Sequence, residues 1–178
     1  MTVSLDGYIA DPQGQIDWTA PDEELHRFHN QQTRAIGGLL CGRALYETML
    51  VWDRTDGSEF GPVGVEFAQI WKPIPKVVFS STLSSVEGNA RLATAGLAEE
   101  LAKLRDVADD KLVEVGGARL AAGLIELDLI DEYRQFIIPV ILGGGTPYFP
   151  KLQHRLDLEL VETRTFGSQV IYARYRRV

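Results

Sequence analysis

Two adjacent glycines, Gly116-Gly117, break residues 111–125 into an apolar run and a helical one. Leu112, Val113 and Val115 read as a short buried strand, and Leu120, Leu124 and Ile125 share one helix face. A strand that breaks on glycine straight into a helix leaves backbone N–H groups without partners. With the helix dipole, these donors seat an anion, typically a phosphate. Glycine lets the anion reach the backbone, and Arg119 adds a permanent charge with forked donors. An ordinary strand–helix corner has the same pattern, so the other strand ends decide between the two. Gly42-Arg43 follows the apolar run 36–41, and Ser80-Ser81-Thr82 closes the apolar run 76–80. Three strand ends with phosphate-binding chemistry point to a dinucleotide more strongly than one does.

The elements that must hold these ends alternate along the chain. A strand end at 3–5 and an extended piece at 8–10 precede a turn at 11–14. A helix opens near Pro21, with Asp22, Glu23 and Glu24 in its first turn, and runs to about residue 33. Helices follow at 43–52, through 67–71, and at 97–107, the last with Leu97, Leu101, Leu104 and Ala108 on one stripe. Residues 55–64 read as a polar surface loop, and Pro73 and Pro75 end the helix before the strand at 76–80. Further strands are expected at 91–93 and 131–139, the latter with its apolar run 136–138 as an edge strand that could pair between chains. A terminal hairpin over 156–165 and 169–175 turns at Gly167-Ser168. Strand–helix alternation that ends in a hairpin predicts an α/β fold with a largely parallel sheet.

With 178 residues and no repeat or linker, one domain is expected. The net charge of −7 argues against a general nucleic-acid binder. No apolar run is long enough to span a membrane, and no signal-peptide pattern opens the chain. The single cysteine, Cys41, lies in an apolar strand and suits packing. These features favour a reducing cytoplasm. In so acidic a chain, an anionic cofactor requires grouped arginines, and Arg43 and Arg119 are the candidates.

Several motifs follow in a familiar order. They are residues 4–10 (Ser-Leu-Asp-Gly-Tyr-Ile-Ala), Gly14 with Asp17-Trp18, Gly42-Arg43 with Tyr46-Glu47, residues 76–80, Gly116-Gly117, and Ile130-Asp131-Glu132 leading to Pro139 and Gly143. The set resembles the dihydrofolate reductase-like proteins. It is most similar to the group related to the C-terminal reductase domain of the riboflavin-biosynthesis deaminase–reductase. The resemblance covers nearly the whole chain. It implies a three-layer αβα fold, with a mostly parallel central sheet and a C-terminal antiparallel hairpin. It also implies NADPH as hydride donor, a small pteridine- or aminopyrimidine-like substrate, and a homodimer. The alternative is a nucleotide-binding module that has lost turnover.

By this resemblance Gly42 and Arg43 hold cofactor phosphates. Ser80, Ser81 and Thr82 lie near the adenosine ribose and its 2′-phosphate. Gly116, Gly117, Ala118, Arg119 and Leu120 cradle the pyrophosphate, with an unusual and often cis peptide at the glycine pair. Tyr8 and Trp18 border the substrate. Hydride reduction of a C=N or C=O bond also needs a proton. Counting five residues on from Trp18, as in dihydrofolate reductases, gives Glu23. Asp6 and Asp17 are its rivals, and each also suits a turn. The acids of residues 22–24 equally suit a helix N-terminus.

The chain departs from the family pattern at three places. The related families carry a longer first strand, whereas Met1 here begins near its end, so either the strand is short or the start is misassigned. Leu45 stands where dihydrofolate reductases have a threonine, so one hydroxyl contact to phosphate is missing. Acidic residues 22–24 follow Trp18 where the riboflavin enzymes use arginines for a ribose phosphate, so a phosphoribosyl substrate is disfavoured. No deaminase domain with its zinc-ligand pattern is expected ahead of these motifs. His26 and His29 are read as helix residues, Gly143-Gly144-Gly145 as a structural turn, and the tryptophans as core or wall. No metal is expected.

Overall fold

A computed structural model of the protein describes residues 1–152 and 154–178. In chain order the elements are β1 (Thr2–Ser4), β2 (Tyr8–Ala10), α1 (Glu23–Arg34), β3 (Ile36–Gly42), α2 (Arg43–Arg54), α3 (Gly61–Trp71), β4 (Lys76–Phe79), β5 (Ala90–Leu92), α4 (Leu97–Ala108), β6 (Leu112–Gly116), α5 (Ala118–Glu126), β7 (Glu132–Ile138), β8 (Thr146–Pro147), β9 (Leu158–Thr165) and β10 (Ile171–Arg177). The fold is α/β, with a parallel sheet and a C-terminal antiparallel hairpin. The chain divides into two compact units, His26–Ala121 and Met1–Leu25 with Ala122–Val178.

The unit His26–Ala121 is built on the sheet β5-β4-β3-β6, in which every neighbouring pair is parallel. Leu39, Leu40 and Cys41 are consecutive and buried, as are Val77 and Val78, because helices cover both faces of the inner strands. Ile36, Leu39, Cys41, Tyr46, Phe67, Trp71, Ile74 and Val78 form one core cluster. α4 lies against glycines of β3: a Cβ on Gly38 would come within 2.5 Å of Leu104 Cγ. The strand expected to be buried at 112–115 is instead the edge of this sheet. Leu112 is 43 % exposed and burial alternates along β6, since only β3 flanks it there. The loop expected at 55–64 also shortens, because α3 already starts at Gly61.

β4 hides a cation that its apolar pattern does not announce. Lys76 is 2 % exposed, and its Nζ donates to Trp71 O and Ile74 O, each at 3.1 Å. Asp53 Oδ1 lies 3.5 Å from the same Nζ, and Asp53 Oδ2 accepts from Trp71 Nε1 at 3.0 Å. The ammonium thus shares Trp71 O, which also accepts from Ile74 N at 3.1 Å, and takes Ile74 O in the turn beyond α3.

The unit Met1–Leu25 with Ala122–Val178 carries the sheet β1-β7-β10-β9 and the β2-β8 pair. β1 runs parallel to β7, and β7, β10 and β9 are successively antiparallel. Phe136 and the fully buried Tyr172 face each other across β7 and β10, with ring centroids 4.9 Å apart. The apolar run 136–138, expected at an edge, belongs to β7. It lies inside the sheet, and β9 is the outer strand of the hairpin. A register shift opposite Arg174 and Tyr175 leaves Val161 as an extra residue on β9.

Candidate functional site

In the unit His26–Ala121 the parallel register aligns three strand ends. Gly42 stands opposite Phe79, and Cys41 opposite Gly116. Gly42, Ser80 and Gly117 therefore leave the sheet along one edge, on neighbouring strands about 4.8 Å apart.

Two helices begin there. α2 starts directly after Gly42, which is extended (φ −80°, ψ 165°) and gives no side-chain cap. No acid lies in the first turn of α2 or of α5. A Cβ on Gly42 would meet nothing within 4 Å, so the space before the α2 donors is open. Gly117 has φ +103°, a region costly for any residue with a Cβ, and its carbonyl accepts from Ala121 N at 3.0 Å to start α5. A Cβ on Gly117 would stand 3.7 Å from Gly42 N. Two sets of helix N–H donors thus adjoin, an arrangement that fits a pyrophosphate.

The glycine pair divides its work. Gly116 is buried, and a Cβ there would overlap Leu45 Cδ2, so this glycine serves packing rather than ligand approach. The cis peptide expected at the pair is absent, as no described residue has one. The positive φ of Gly117 alone turns the chain from strand to helix.

Arg43 Nη1 donates to Thr82 Oγ1 at 2.9 Å, and Nε lies 3.1 Å from Glu47. The pair with Glu47 is exposed and contributes only about 0.3–0.5 kcal/mol, so it yields easily to a ligand phosphate. Ser80 Oγ accepts from Thr82 N at 3.1 Å and Leu83 N at 3.0 Å, which curls the turn back on itself. Ser81 is exposed on that turn. Tyr46, which the sequence marks only as part of the motif set, and Arg54, which sequence reasoning missed, hold the loop that follows. Glu87 N donates to the Tyr46 hydroxyl at 2.6 Å, and Arg54 grips the Glu87 carboxylate at 2.7 and 3.2 Å. The signal for Tyr46 was its place one turn into the helix after Gly42-Arg43. Ala118 and Leu120 are half-buried in the first turn of α5. Arg119 is exposed and forms no ion pair with a described residue.

The other unit holds the remaining candidates. Asp6 accepts from Ser4 Oγ at 2.7 Å, Leu142 N at 3.1 Å and Gly143 N at 2.7 Å. The Ser4 hydroxyl and these amides hold its carboxyl below the usual range, which suits an anchor for the glycine loop better than a proton donor. Ser4 Oγ also accepts from Tyr8 N at 2.9 Å, and Tyr8 is half-buried in β2. Asp17 is exposed in a 3₁₀ turn, and Trp18 in the same turn is half-buried, with Nε1 donating to Gln15 O at 3.3 Å. Glu23 is exposed in the first turn of α1. Its neighbours have structural duties. Asp22 Oδ1 accepts from Leu25 N at 2.8 Å, and the Glu24 carboxylate takes Gly167 N and Arg164, each at 3.0 Å. His26 packs edge-on against Trp52, and burial holds the His29 imidazole down to about 3.

The fold is a dihydrofolate reductase-like α/β fold. A structure with the same fold is dihydrofolate reductase from Enterococcus faecalis, complexed with NADP(H) (TM-score 0.58, 20% identity, covering 99% of this chain and 92% of that one). The chain belongs to the RibD C-terminal domain family, whose model matches residues 1–172. The uncharacterized protein YyaP of Bacillus subtilis (strain 168) is 33% identical over 180 residues, covering 98% of this chain and 91% of YyaP. A Shewanella sp. PV-4 protein assigned provisionally to riboflavin biosynthesis has a similar structure (TM-score 0.79, 26% identity, covering 100% and 96%). Among the described residues no helix is long and apolar enough to cross a membrane.

Proposed function

We propose that this protein is a cytoplasmic, NADPH-dependent reductase of a small pteridine- or aminopyrimidine-like heterocycle. The observation that supports it most is the pair of acid-free helix starts at Gly42 and Gly117, with Arg43 reaching the Ser80–Thr82 turn. Bound there, NADPH supplies the hydride. The backbone N–H groups at the starts of α2 and α5, with Arg119, hold the pyrophosphate. Arg43 and Thr82 take the 2′-phosphate. Tyr8 and Trp18 are assigned to the substrate, and Glu23 to the proton, with Asp17 as the second candidate. Asp6 fixes the glycine loop through Leu142 and Gly143. The acids at 22–24 favour a substrate without a phosphate.

Calorimetric titration with NADPH and NADH, followed by NADPH oxidation across a panel of pterins and aminopyrimidines, tests this. Tighter binding of NADPH and turnover of one panel member are expected. Binding without turnover would favour a nucleotide-binding module that has lost its reaction, and no binding would remove both readings. A two-fold homodimer is also proposed, with β9 exposing Leu160 and Val161 along the sheet edge. A monomer mass by light scattering at micromolar concentration would sink that assignment.

A further inference from the structure

The helix after β5 differs from those after β3 and β6. α4 carries Glu99 and Glu100 in its first turn, where α2 and α5 carry no acid. Its dipole is already met by carboxylate, so an uncharged part of a ligand suits its start better than a phosphate. Glu100 is fully buried. Its Oε1 accepts from Thr94 N at 2.8 Å, Ala95 N at 3.0 Å and Thr94 Oγ1 at 3.3 Å, and its Oε2 accepts from Arg91 Nη2 at 2.5 Å. Ala93 N donates to Val78 O at 2.9 Å. Every backbone N–H from residue 93 to 95 is therefore turned inward. What residues 93–95 have left to offer a ligand from the backbone is carbonyl oxygen, whereas Gly96 O already accepts from Glu100 N at 3.0 Å.

The loop leaves the same sheet edge as the phosphate-binding turns. β5 pairs with β4, Leu92 opposite Val78, so residues 93–96 follow one strand beyond the Ser80–Thr82 turn. That is a step of about 4.8 Å, within reach of a base on a ribose held at that turn. Thr94 and Gly96 are exposed, and a Cβ on Gly96 would meet nothing within 4 Å. Along this edge the order is then pyrophosphate at β6 and β3, ribose phosphate at β3 and β4, and base at β4 and β5.

We propose that Glu100 is a positioning residue that makes residues 93–95 an acceptor-only edge, selecting a purine with a hydrogen-bond donor at C6. This rests on reading the unit His26–Ala121 as a dinucleotide seat. The C6 amino group of adenine donates to such an edge. The C6 oxo group of hypoxanthine sets acceptor against acceptor and leaves both unpaired.

The test is calorimetric titration of the full chain with NADPH and with its hypoxanthine analogue, deamino-NADPH. The parent is expected to prefer NADPH by about tenfold, the worth of one hydrogen bond near 1.4 kcal/mol. Glu100→Ala releases the two N–H groups and brings the ratio toward one. Glu100→Gln keeps an amide oxygen facing them and keeps the ratio, because the exposed Arg91 can move aside. Equal affinities in the parent overturn the acceptor edge and leave the dinucleotide seat standing. Failure of both ligands to bind the parent overturns the seat, and this inference with it. Equal weakening of both ligands in Glu100→Ala, with the ratio unchanged, would assign Glu100 to the fold alone. Thermal melts establish that each variant folds, and if Glu100→Ala does not, the parent's ratio still decides.

Discussion

Leu45 occupies the space that Gly116 leaves by having no side chain. The residue read as a missing phosphate contact is thus half of a packing pair that joins the first turn of α2 to the end of β6. Gly116→Ala is expected to cost about 1–3 kcal/mol through overpacking. Adding Leu45→Ala should recover part of that loss. A double-mutant cycle by chemical denaturation measures the coupling, and purely additive effects would deny the contact.

Charge at the two helix starts should separate by cofactor. Arg43→Ala is expected to weaken NADPH by about tenfold or more while leaving NADH nearly unchanged, since only the 2′-phosphate loses a charge-assisted bond. Arg119→Ala should weaken both alike. Calorimetry with each cofactor reads the difference, and equal losses in Arg43→Ala would place the 2′-phosphate elsewhere.

The candidate acids should part in their effects. Glu23→Gln is expected to lower turnover by about 10²-fold with NADPH affinity intact, if it delivers the proton. Asp6→Asn should instead lower melting temperature, because one carboxylate oxygen that accepts a backbone N–H becomes an amide donor. Steady-state kinetics beside thermal melts distinguishes them. Full turnover in Glu23→Gln would shift attention to Asp17.

Glu100 should shape the acid limb of stability. The hydrogen bond from Arg91 holds its carboxyl down to about 2, against an ordinary 4.5. A carboxyl depressed by folding contributes fully above its unfolded value, and that contribution fades as pH falls from about 4.5 toward 2. Glu100→Gln should be less stable than the parent near neutrality, with the gap narrowing in acid. Denaturant titrations from pH 7 to 3 check this, and a gap that does not change with pH would contradict the assignment.

Lys76→Met removes the cation beside Asp53 and should cost about 3–5 kcal/mol, because a nearly buried carboxylate is left uncompensated. Replacing Asp53 as well, by Asn, should recover much of it. Urea midpoints of the two variants provide the comparison.

The sequence made the strand ends legible because glycine and serine interrupt apolar runs at Gly42, Ser80 and Gly116, and a break in periodicity is a local signal. Helix starts were equally plain at Pro21 and Arg43. Which strand lies at an edge was not legible, since apolar runs such as 136–138 look alike inside a sheet and at its margin. The different duties of Gly116 and Gly117 were hidden too. One depends on a leucine about seventy positions away, and the other on its own torsion angle. Lys76 looked like the flank of a strand, because its partners Trp71, Ile74 and Asp53 meet it only once α3 folds back. Asp6 reads both as a rival to Glu23 and as a turn residue, and its bonds from the amides of Leu142 and Gly143, far along the chain, leave no local signal.

The alignment of Gly42 with Gly117 also makes β6 a reporter. An anion held by both helix starts acts as a staple between β3 and β6, and a ligand at a hundred times its dissociation constant adds about 2.7 kcal/mol to the bound form. Because β6 is flanked only by β3 in its sheet, its amides depend on that single ladder. Slowed deuterium uptake along residues 112–116 is therefore where occupancy of the seat would first be recorded, whatever the molecule that fills it.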